Sequence, residues 1–192
     1  MQSSTDPRPV VVAVDSSDSA RDAAAWAADI AADWSAPLHL VNVVPGDPQD
    51  LPLDPLPRWL AELVDAAERA GAQPCSAEAQ PGDLVTTITA RGVGARMVVL
   101  GSYGAGAFAG ILAGTTARDV VDHVAGPVAV VRGSAPRLAP PRNGPVVVGV
   151  DDSAAGAAAL SFARSAVQHG CRVCDWNPEL AASIQGNPPP II

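Results

Sequence analysis

Short, continuous runs of apolar residues alternate with longer segments of helical periodicity along the first two thirds of the chain. Continuous apolar strands of this kind, each followed by a helix, are typical of a parallel sheet covered on both faces. The pattern therefore predicts an α/β fold with a doubly wound, Rossmann-like, five-stranded parallel sheet. The predicted strands are 10–14, 38–44, 73–80, 97–100 and 128–131, and the predicted helices are 19–33, 58–70, 83–91 and 114–125.

The beginning of this pattern occurs a second time. Residues 145–153, Pro-Val-Val-Val-Gly-Val-Asp-Asp-Ser, repeat residues 9–17, Pro-Val-Val-Val-Ala-Val-Asp-Ser-Ser, but the similarity ends near Cys171. The remaining residues contain four prolines and no run like 38–44, and a single βα unit is too small to bury an independent core. We predict a complete domain over 8–133, a linker over 134–144, the first βα unit of an incomplete second domain over 145–173, and an irregular tail over 174–192.

A glycine-rich loop follows the apolar run 97–100. Gly101 and Gly104 are followed, after nine residues, by Gly114-Thr115-Thr116, which opens a helical pattern. Glycine lets the backbone approach an anion closely, and the free N–H groups of a helix start point toward it. The segment predicts a phosphate site, and the alternative is a turn that needs small residues only for packing.

Candidate positions lie at the carboxyl ends of three predicted strands. Asp15 follows the first strand, Val43 and Val44 are the last residues of the second, and Gly101 follows the fourth. In open parallel sheets, ligands bind at the carboxyl edge, where the strand order changes direction. We expect these residues to lie close together, although Asp15 alone is also explained as a helix-initiating residue.

The spacing Gly101-x2-Gly104-x9-Gly114-Thr115 matches the ATP-binding signature Gly-x2-Gly-x9-Gly-Ser/Thr of the universal stress protein family. The chain resembles this family over about residues 8–133. From residue 145 it resembles the first third of the same domain a second time. The resemblance implies a fold of the adenine nucleotide α-hydrolase-like group, a regulatory role in the stress response, and binding of ATP or another adenine nucleotide. Family members are commonly dimers or tandem repeats, and some keep the fold without binding a nucleotide.

The resemblance also implies three groups of ligand contacts. Val14 and Asp15 would line the adenosine pocket, and the backbone of Val43 would meet the adenine. Leu100 and Gly101 would pack near the ribose. The residues implied for the phosphates are Gly104, Gly114, Thr115 and Thr116.

The loop has an unusual charge for a triphosphate site. Residues 101–117 contain no arginine, lysine or histidine, whereas family members often have a basic residue near the position of Ala105. A helix start contributes roughly 0.3–1 kcal/mol, or ~2 kcal/mol when it is partly buried. We therefore predict ATP binding that is weak or assisted by Mg²⁺.

The loop also lacks a general base, a phosphate-clamping cation and a defined metal pair, which predicts binding without significant catalysis. The alternatives left open are a slow ATP hydrolase on the same fold and a nucleotide-free dimerisation or interaction module.

The amino-acid composition argues against several other classes of partner and mechanism. The 192 residues carry a net charge of −8 at pH 7, which argues against nucleic acid or an anionic membrane as the main partner. All twelve basic residues are arginine, so mechanisms that need a lysine are excluded. No apolar run is long enough to span a membrane.

The cysteine content predicts a cytoplasmic location, because Cys75, Cys171 and Cys174 do not form a disulfide framework. The pair Cys171 and Cys174 alone is a weak zinc signal, so no metal site is predicted.

The apolar strand 128–131 would expose a sheet edge that pairs with another chain. We expect a homodimer through Val128 to Val131, as the resemblance also implies.

Overall fold

The computed structural model describes residues 8–47, 49, 52, 54–102, 115–131, 145–149, 152–167 and 172–176. The chain divides into two compact units, Met1–Pro140 and Pro141–Ile192. Each unit is described by itself.

The first unit contains a five-stranded sheet in which all strands are parallel. The strand order is β3-β2-β1-β4-β5, so β1 lies at the centre and β3 and β5 form the edges. This confirms the predicted fold class. The elements are β1 Val10–Ala13, α1 Asp18–Trp34, β2 Leu38–Val44, α2 Arg58–Arg69, β3 Cys75–Pro81, α3 Leu84–Gly92, β4 Met97–Gly101, α4 Thr115–His123 and β5 Val128–Val131.

The central strands are buried on both faces, which is why their sequences are continuously apolar rather than alternating. One apolar cluster joins Val11 and Val98 of the sheet to Ile88 of α3 and Val120 of α4. On α1 the buried residues are six alanines and Trp34, and α1 contacts β1, β2, β4 and β5. Because alanine is small, this helix lies close to the sheet.

Two helices begin with side-chain caps directly after strand ends. The Ser17 hydroxyl accepts a hydrogen bond from the Ala20 N–H at 3.2 Å and caps α1. The Asp83 carboxylate accepts one from the Thr86 N–H at 2.8 Å and caps α3. Both caps satisfy an N–H group that has no partner within the helix, so each helix starts close to the carboxyl edge of the sheet.

The second unit contains β6 (Pro145–Gly149), α5 (Ala154–Val167) and β7 (Arg172–Trp176). The two strands are parallel, with Val146 opposite Val173. The Ser153 hydroxyl accepts from the Gly156 N–H at 3.0 Å, as Ser17 does at the start of α1. The repeat seen in the sequence is therefore a structural repeat of a βα unit.

The strand β7 corrects one expectation. The sequence predicted no second strand after 145–153, and it placed the start of an irregular tail at residue 174, which lies within β7. The apolar pattern was too weak to detect because Arg172 and Asp175 interrupt it. Pairing with β6 supplies backbone hydrogen bonds that do not depend on those side chains. The domain boundaries themselves stay predictions.

Candidate functional site

Three of the predicted strand-end positions lie at the same edge of the sheet. In the strand register, Ala13 of β1 is opposite Val41 of β2 and Leu100 of β4. Asp15, Val43 and Gly101 lie one or two residues beyond this row. The chain leaves β1 toward β2 on one side, and β4 toward β5 on the other. This is the position at which the strand order changes direction and where open parallel sheets bind ligands.

Gly101, the last residue of β4, packs against the start of α1. A Cβ atom at this position would lie 2.7 Å from the Ser19 Oγ atom and 2.9 Å from the Ser19 carbonyl carbon and oxygen. These distances are shorter than a side chain tolerates, so only glycine fits without movement of the backbone. The glycine therefore brings the first turn of α1 next to the end of β4.

Asp15 uses its side chain to shape the connection between β1 and α1. Its Oδ1 atom accepts hydrogen bonds from the Ser17 N–H at 3.0 Å and from the Ser17 hydroxyl. Ser17 in turn caps α1. These hydrogen bonds are those of a helix-initiating aspartate, and they hold the carboxylate at the carboxyl edge of the sheet.

The other residues predicted to contact the ligand differ in their burial and in which of their groups can reach this edge. Val14 directly follows β1 and is 5% exposed, and Val43 in β2 is partly exposed. The Leu100 side chain belongs to the apolar cluster between the sheet and α3 and α4, so only its backbone can contact a ligand. Thr115 and Thr116 are the first two residues of α4, and their side chains lie outside the described residues. Gly104 and Gly114 also lie outside them.

Asn42 is a residue of this edge that the sequence did not single out. It is buried in β2, with 6% of its surface exposed, and its Nδ2 atom donates to the Val14 carbonyl oxygen at 2.8 Å. The only signal in the sequence was its polar side chain within the largely apolar run 38–44, which also contains His39. The amide connects β2 directly to the segment that carries Asp15.

Ser102 is a second residue that the sequence did not identify. It is 1% exposed, and its N–H donates to the Val131 carbonyl oxygen at 3.0 Å. Its hydroxyl has no hydrogen-bond partner among the described residues. A buried polar group without a partner costs about 1–3 kcal/mol, and such groups are uncommon enough to need a specific explanation. The Ser102 hydroxyl is such a group, and Ser102 immediately follows Gly101.

A cluster of ionisable groups lies elsewhere on the sheet, between β2, β3 and α3. The Arg91 guanidinium contacts both Glu78 carboxylate oxygens, with Nη2 donating to Oε2 at 3.0 Å. The His39 Nε2 atom is 3.5 Å from the same carboxylate. Hydrogen bonding to Arg91 lowers the pKa of the Glu78 carboxyl group below its usual value. The charges are thus matched within the cluster, as in a structural ion-pair network.

Cys75, at the start of β3, is a half-buried free thiol. Burial, with a smaller contribution from the nearby charge of Glu68, raises its pKa to about 11. The thiol rather than the reactive thiolate therefore predominates. Within the described parts of the chain, no group of three or more His, Cys, Asp or Glu side chains could hold a metal ion.

A surface groove of 440 Å³ runs along α3. Asp83, Val85, Thr86, Thr89, Ala90 and His123 line it. The Asp83 carboxylate is already engaged in capping α3. The Thr89 hydroxyl is buried and has no partner among the described residues, so it is not accessible from the groove. Neither the Asp83 carboxylate nor the Thr89 hydroxyl is therefore free to bind a ligand in this groove.

One known protein family matches the first unit of this chain. The family model described as "Universal stress protein family" matches residues 7–132, which is the segment that contains the five-stranded sheet. The chain belongs to the universal stress protein family. Among the described helices of this universal stress protein, none is both long and apolar enough to cross a membrane.

Curated relatives of this chain are mycobacterial universal stress proteins. Universal stress protein MT2052 of Mycobacterium tuberculosis (strain CDC 1551 / Oshkosh) is 39% identical over 100 residues, which cover 52% of this chain and 31% of the relative. Universal stress protein Rv2623 of Mycobacterium tuberculosis (strain ATCC 25618 / H37Rv) is 30% identical over 170 residues, covering 80% of this chain and 57% of the relative. The chain thus spans less than two thirds of the length of either relative.

Solved structures show the same fold. The structure described as "universal stress protein in complex with cAMP" is 31% identical with a TM-score of 0.54, covering 67% of this chain and 98% of its own. UspA from Lactobacillus plantarum is 28% identical with a TM-score of 0.51, covering 65% of this chain and 97% of its own. A universal stress protein from Archaeoglobus fulgidus DSM 4304, at 17% identity, shares the fold alone over 95% of this chain and 72% of its own, with a TM-score of 0.59.

Proposed function

We propose that this universal stress protein binds an adenine nucleotide at the carboxyl edge of its sheet and acts as a stress-response regulator without significant catalysis. The observation that carries the proposal is the convergence of Asp15, Val43 and Gly101 where the strand order changes direction. The proposal is supported by the related structure in complex with cAMP, which is 31% identical over almost its whole length.

In this proposal the nucleoside lies over the end of β1. Val14 and Asp15 border it from the centre of the sheet, and the backbone of Val43 meets the adenine. The ribose lies near Gly101 and the Leu100 carbonyl group, because the Leu100 side chain points into the core. The phosphates extend toward the start of α4, and the residues proposed to hold them are Gly104, Gly114, Thr115 and Thr116.

We propose ATP as the nucleotide, bound weakly or with the help of Mg²⁺. The phosphate segment 101–117 has no basic side chain, so attraction comes from backbone N–H groups, hydroxyl groups and the partial charge of the helix start. A metal ion that neutralises part of the phosphate charge would compensate for the missing cation.

Isothermal titration calorimetry with ATP, ADP, AMP, cAMP and GTP, each with and without Mg²⁺, tests the proposal. We expect the adenine nucleotides to bind and GTP to bind at least tenfold more weakly. Asp15→Ala should weaken ATP binding at least tenfold. Asp18→Ala, the same change at a fully exposed position of the first α1 turn, should alter it less than twofold.

Two results would contradict the proposal. One is the absence of binding heat and of any thermal shift with every adenine nucleotide at millimolar concentration. The other is an equal loss of affinity in Asp15→Ala and Asp18→Ala. Release of inorganic phosphate from ATP in a single-turnover experiment, at a rate that Asp15→Ala abolishes, would contradict the absence of catalysis.

We also propose a homodimer that forms through β5. This strand is at the edge of the sheet and pairs only with β4 among the described strands. An unpaired edge with partly buried valines favours pairing with another chain. Sedimentation velocity of the same samples over a range of concentrations should show a dimer, and a monomer throughout would contradict it. The cytoplasmic location stays a prediction.

A further inference from the structure

The backbone hydrogen-bond ladder between β1 and β2 ends one hydrogen bond earlier than the backbones of Val14 and Val43 would allow. The Val14 N–H donates to the Val41 carbonyl oxygen at 2.9 Å. In a parallel ladder, the next hydrogen bond would run from the Val43 N–H to the Val14 carbonyl oxygen. Among the described residues this bond is not formed. The Val14 carbonyl oxygen instead accepts the Asn42 side-chain amide at 2.8 Å.

The direction of the Val43 backbone groups follows from the neighbouring bonds of β2. The Leu38 N–H donates toward β3, to the Pro74 carbonyl oxygen, and the Val44 carbonyl oxygen accepts from Gly82 after β3. Along a strand, alternate residues direct both backbone groups to the same neighbour. The backbone N–H and C=O groups of Val41 and Val43 therefore face β1. Beyond the end of β1, the Val43 N–H and C=O groups face the space in which the nucleoside is proposed to lie.

Asn42 is an uncommon residue for its position. Leu38 and Leu40, which point to the same face of β2, are completely buried, and burying an amide among apolar residues is costly unless it is hydrogen-bonded. An apolar residue would fill the position without that cost, but it could not donate to the Val14 carbonyl oxygen. That carbonyl would then be available to the Val43 N–H.

We propose that Asn42 is a positioning residue that keeps the Val43 backbone open for the adenine base. Its amide donates to the Val14 carbonyl oxygen at 2.8 Å and keeps that oxygen directed at the side chain rather than at the Val43 N–H, so that the last rung of the ladder does not close. The Val43 N–H and C=O then form an adjacent donor and acceptor. Adenine presents the complementary pair, a ring nitrogen acceptor beside an amino donor, whereas hypoxanthine presents a protonated ring nitrogen beside a carbonyl oxygen. The identity of the ligand rests on the proposed function, whereas the state of the ladder does not.

Amide hydrogen exchange measured by NMR on the full chain tests the ladder without a nucleotide. The Val43 amide should exchange rapidly in the wild type, and at least tenfold more slowly in Asn42→Leu, because it then pairs with the Val14 carbonyl oxygen. The Val41 amide is the internal control and should not change. Should Asn42→Leu fail to fold, Asn42→Ala removes the same amide without adding a branched side chain. Slow Val43 exchange in the ligand-free wild type, or the same rate in wild type and variant, overturns the proposal.

Titration with ATP and inosine triphosphate then tests the consequence for binding. In the wild type, ATP should protect the Val43 amide and bind at least tenfold more tightly than inosine triphosphate. In Asn42→Leu the affinity for ATP should fall at least tenfold and the preference for ATP should largely disappear. An unchanged affinity and preference overturns the positioning role. Loss of binding by the wild type as well, with the expected exchange rates, overturns the proposed ligand and leaves the effect of Asn42 on the ladder supported.

Discussion

Replacing Gly101 with alanine perturbs the contact between the end of β4 and the start of α1. The new Cβ atom would lie 2.7 Å from the Ser19 Oγ atom and 2.9 Å from the Ser19 carbonyl carbon and oxygen. The hydroxyl can rotate away, but the two backbone atoms belong to a helical turn that Ser17 caps. Relief of the clash therefore requires either α1 or β4 to move.

Overpacking of this kind typically costs about 1–3 kcal/mol. For a chain of this size, each 1 kcal/mol lowers the melting temperature by roughly 2–4 °C. At a cost of about 2 kcal/mol, we expect Gly101→Ala to lower the melting temperature of the first unit by about 4–8 °C. Because the start of α1 carries the Asp15–Ser17 turn, ATP binding should weaken as well.

Urea and thermal unfolding, followed by tryptophan fluorescence, measure this effect. Trp26, Trp34 and Trp59 all belong to the first unit, so the signal reports mainly on it. Gly126→Ala is the matched control, because a Cβ atom there has nothing within 4 Å and its backbone is not in the left-handed region. Equal stability of Gly101→Ala and Gly126→Ala would refute the close packing of β4 on α1.

Two further predictions concern the ionisable groups. The pKa of the Glu78 carboxyl is lower in the folded protein than in the unfolded chain. The ionised carboxylate therefore stabilises the fold at a pH above the unfolded-state pKa of Glu78, and this stabilisation is lost as the pH falls through its folded-state pKa. Arg91→Gln should therefore reduce the free energy of unfolding by about 0.5–1 kcal/mol at pH 7 and by progressively less below about pH 4. Arg58→Gln, which breaks an exposed pair within α2, should cost less; equal costs at every pH would contradict the assignment. Cys75, with a pKa of about 11, should be alkylated by iodoacetamide at pH 8 at least tenfold more slowly in the folded protein than in guanidinium, as peptide mass spectrometry can measure. Equal rates would show that the thiol is not shielded.

The local elements of the first unit were predictable because hydrophobic periodicity is a local property. Each continuous apolar run became a strand and each periodic segment became a helix, with ends that differ by a few residues. The weakest of the five strand signals, 73–80, also corresponds to a strand, β3. In contrast β7 was not predicted, since its polar residues hide a strand that exists through pairing with β6.

The candidate site was predictable only where its residues have a sequence signature. Asp15 and Gly101 follow apolar runs and could be placed at strand ends. Asn42 and Ser102 could not be recognised, because a buried polar residue in a strand has meaning only through its hydrogen bonds. The partner of Asn42 is the carbonyl oxygen of Val14, 28 residues earlier in the chain.

The sequence alone determined which segments of the first unit are strands and helices, the glycine spacing that resembles universal stress proteins, and the absence of basic side chains from residues 101–117. These features depend on residues that are near one another in the chain. The tertiary structure decided the strand order, the contact of Gly101 with α1, and the early end of the β1–β2 ladder at Asn42. These depend on register and packing between distant segments, because a hydrogen bond or a steric contact exists only once both partners are in place.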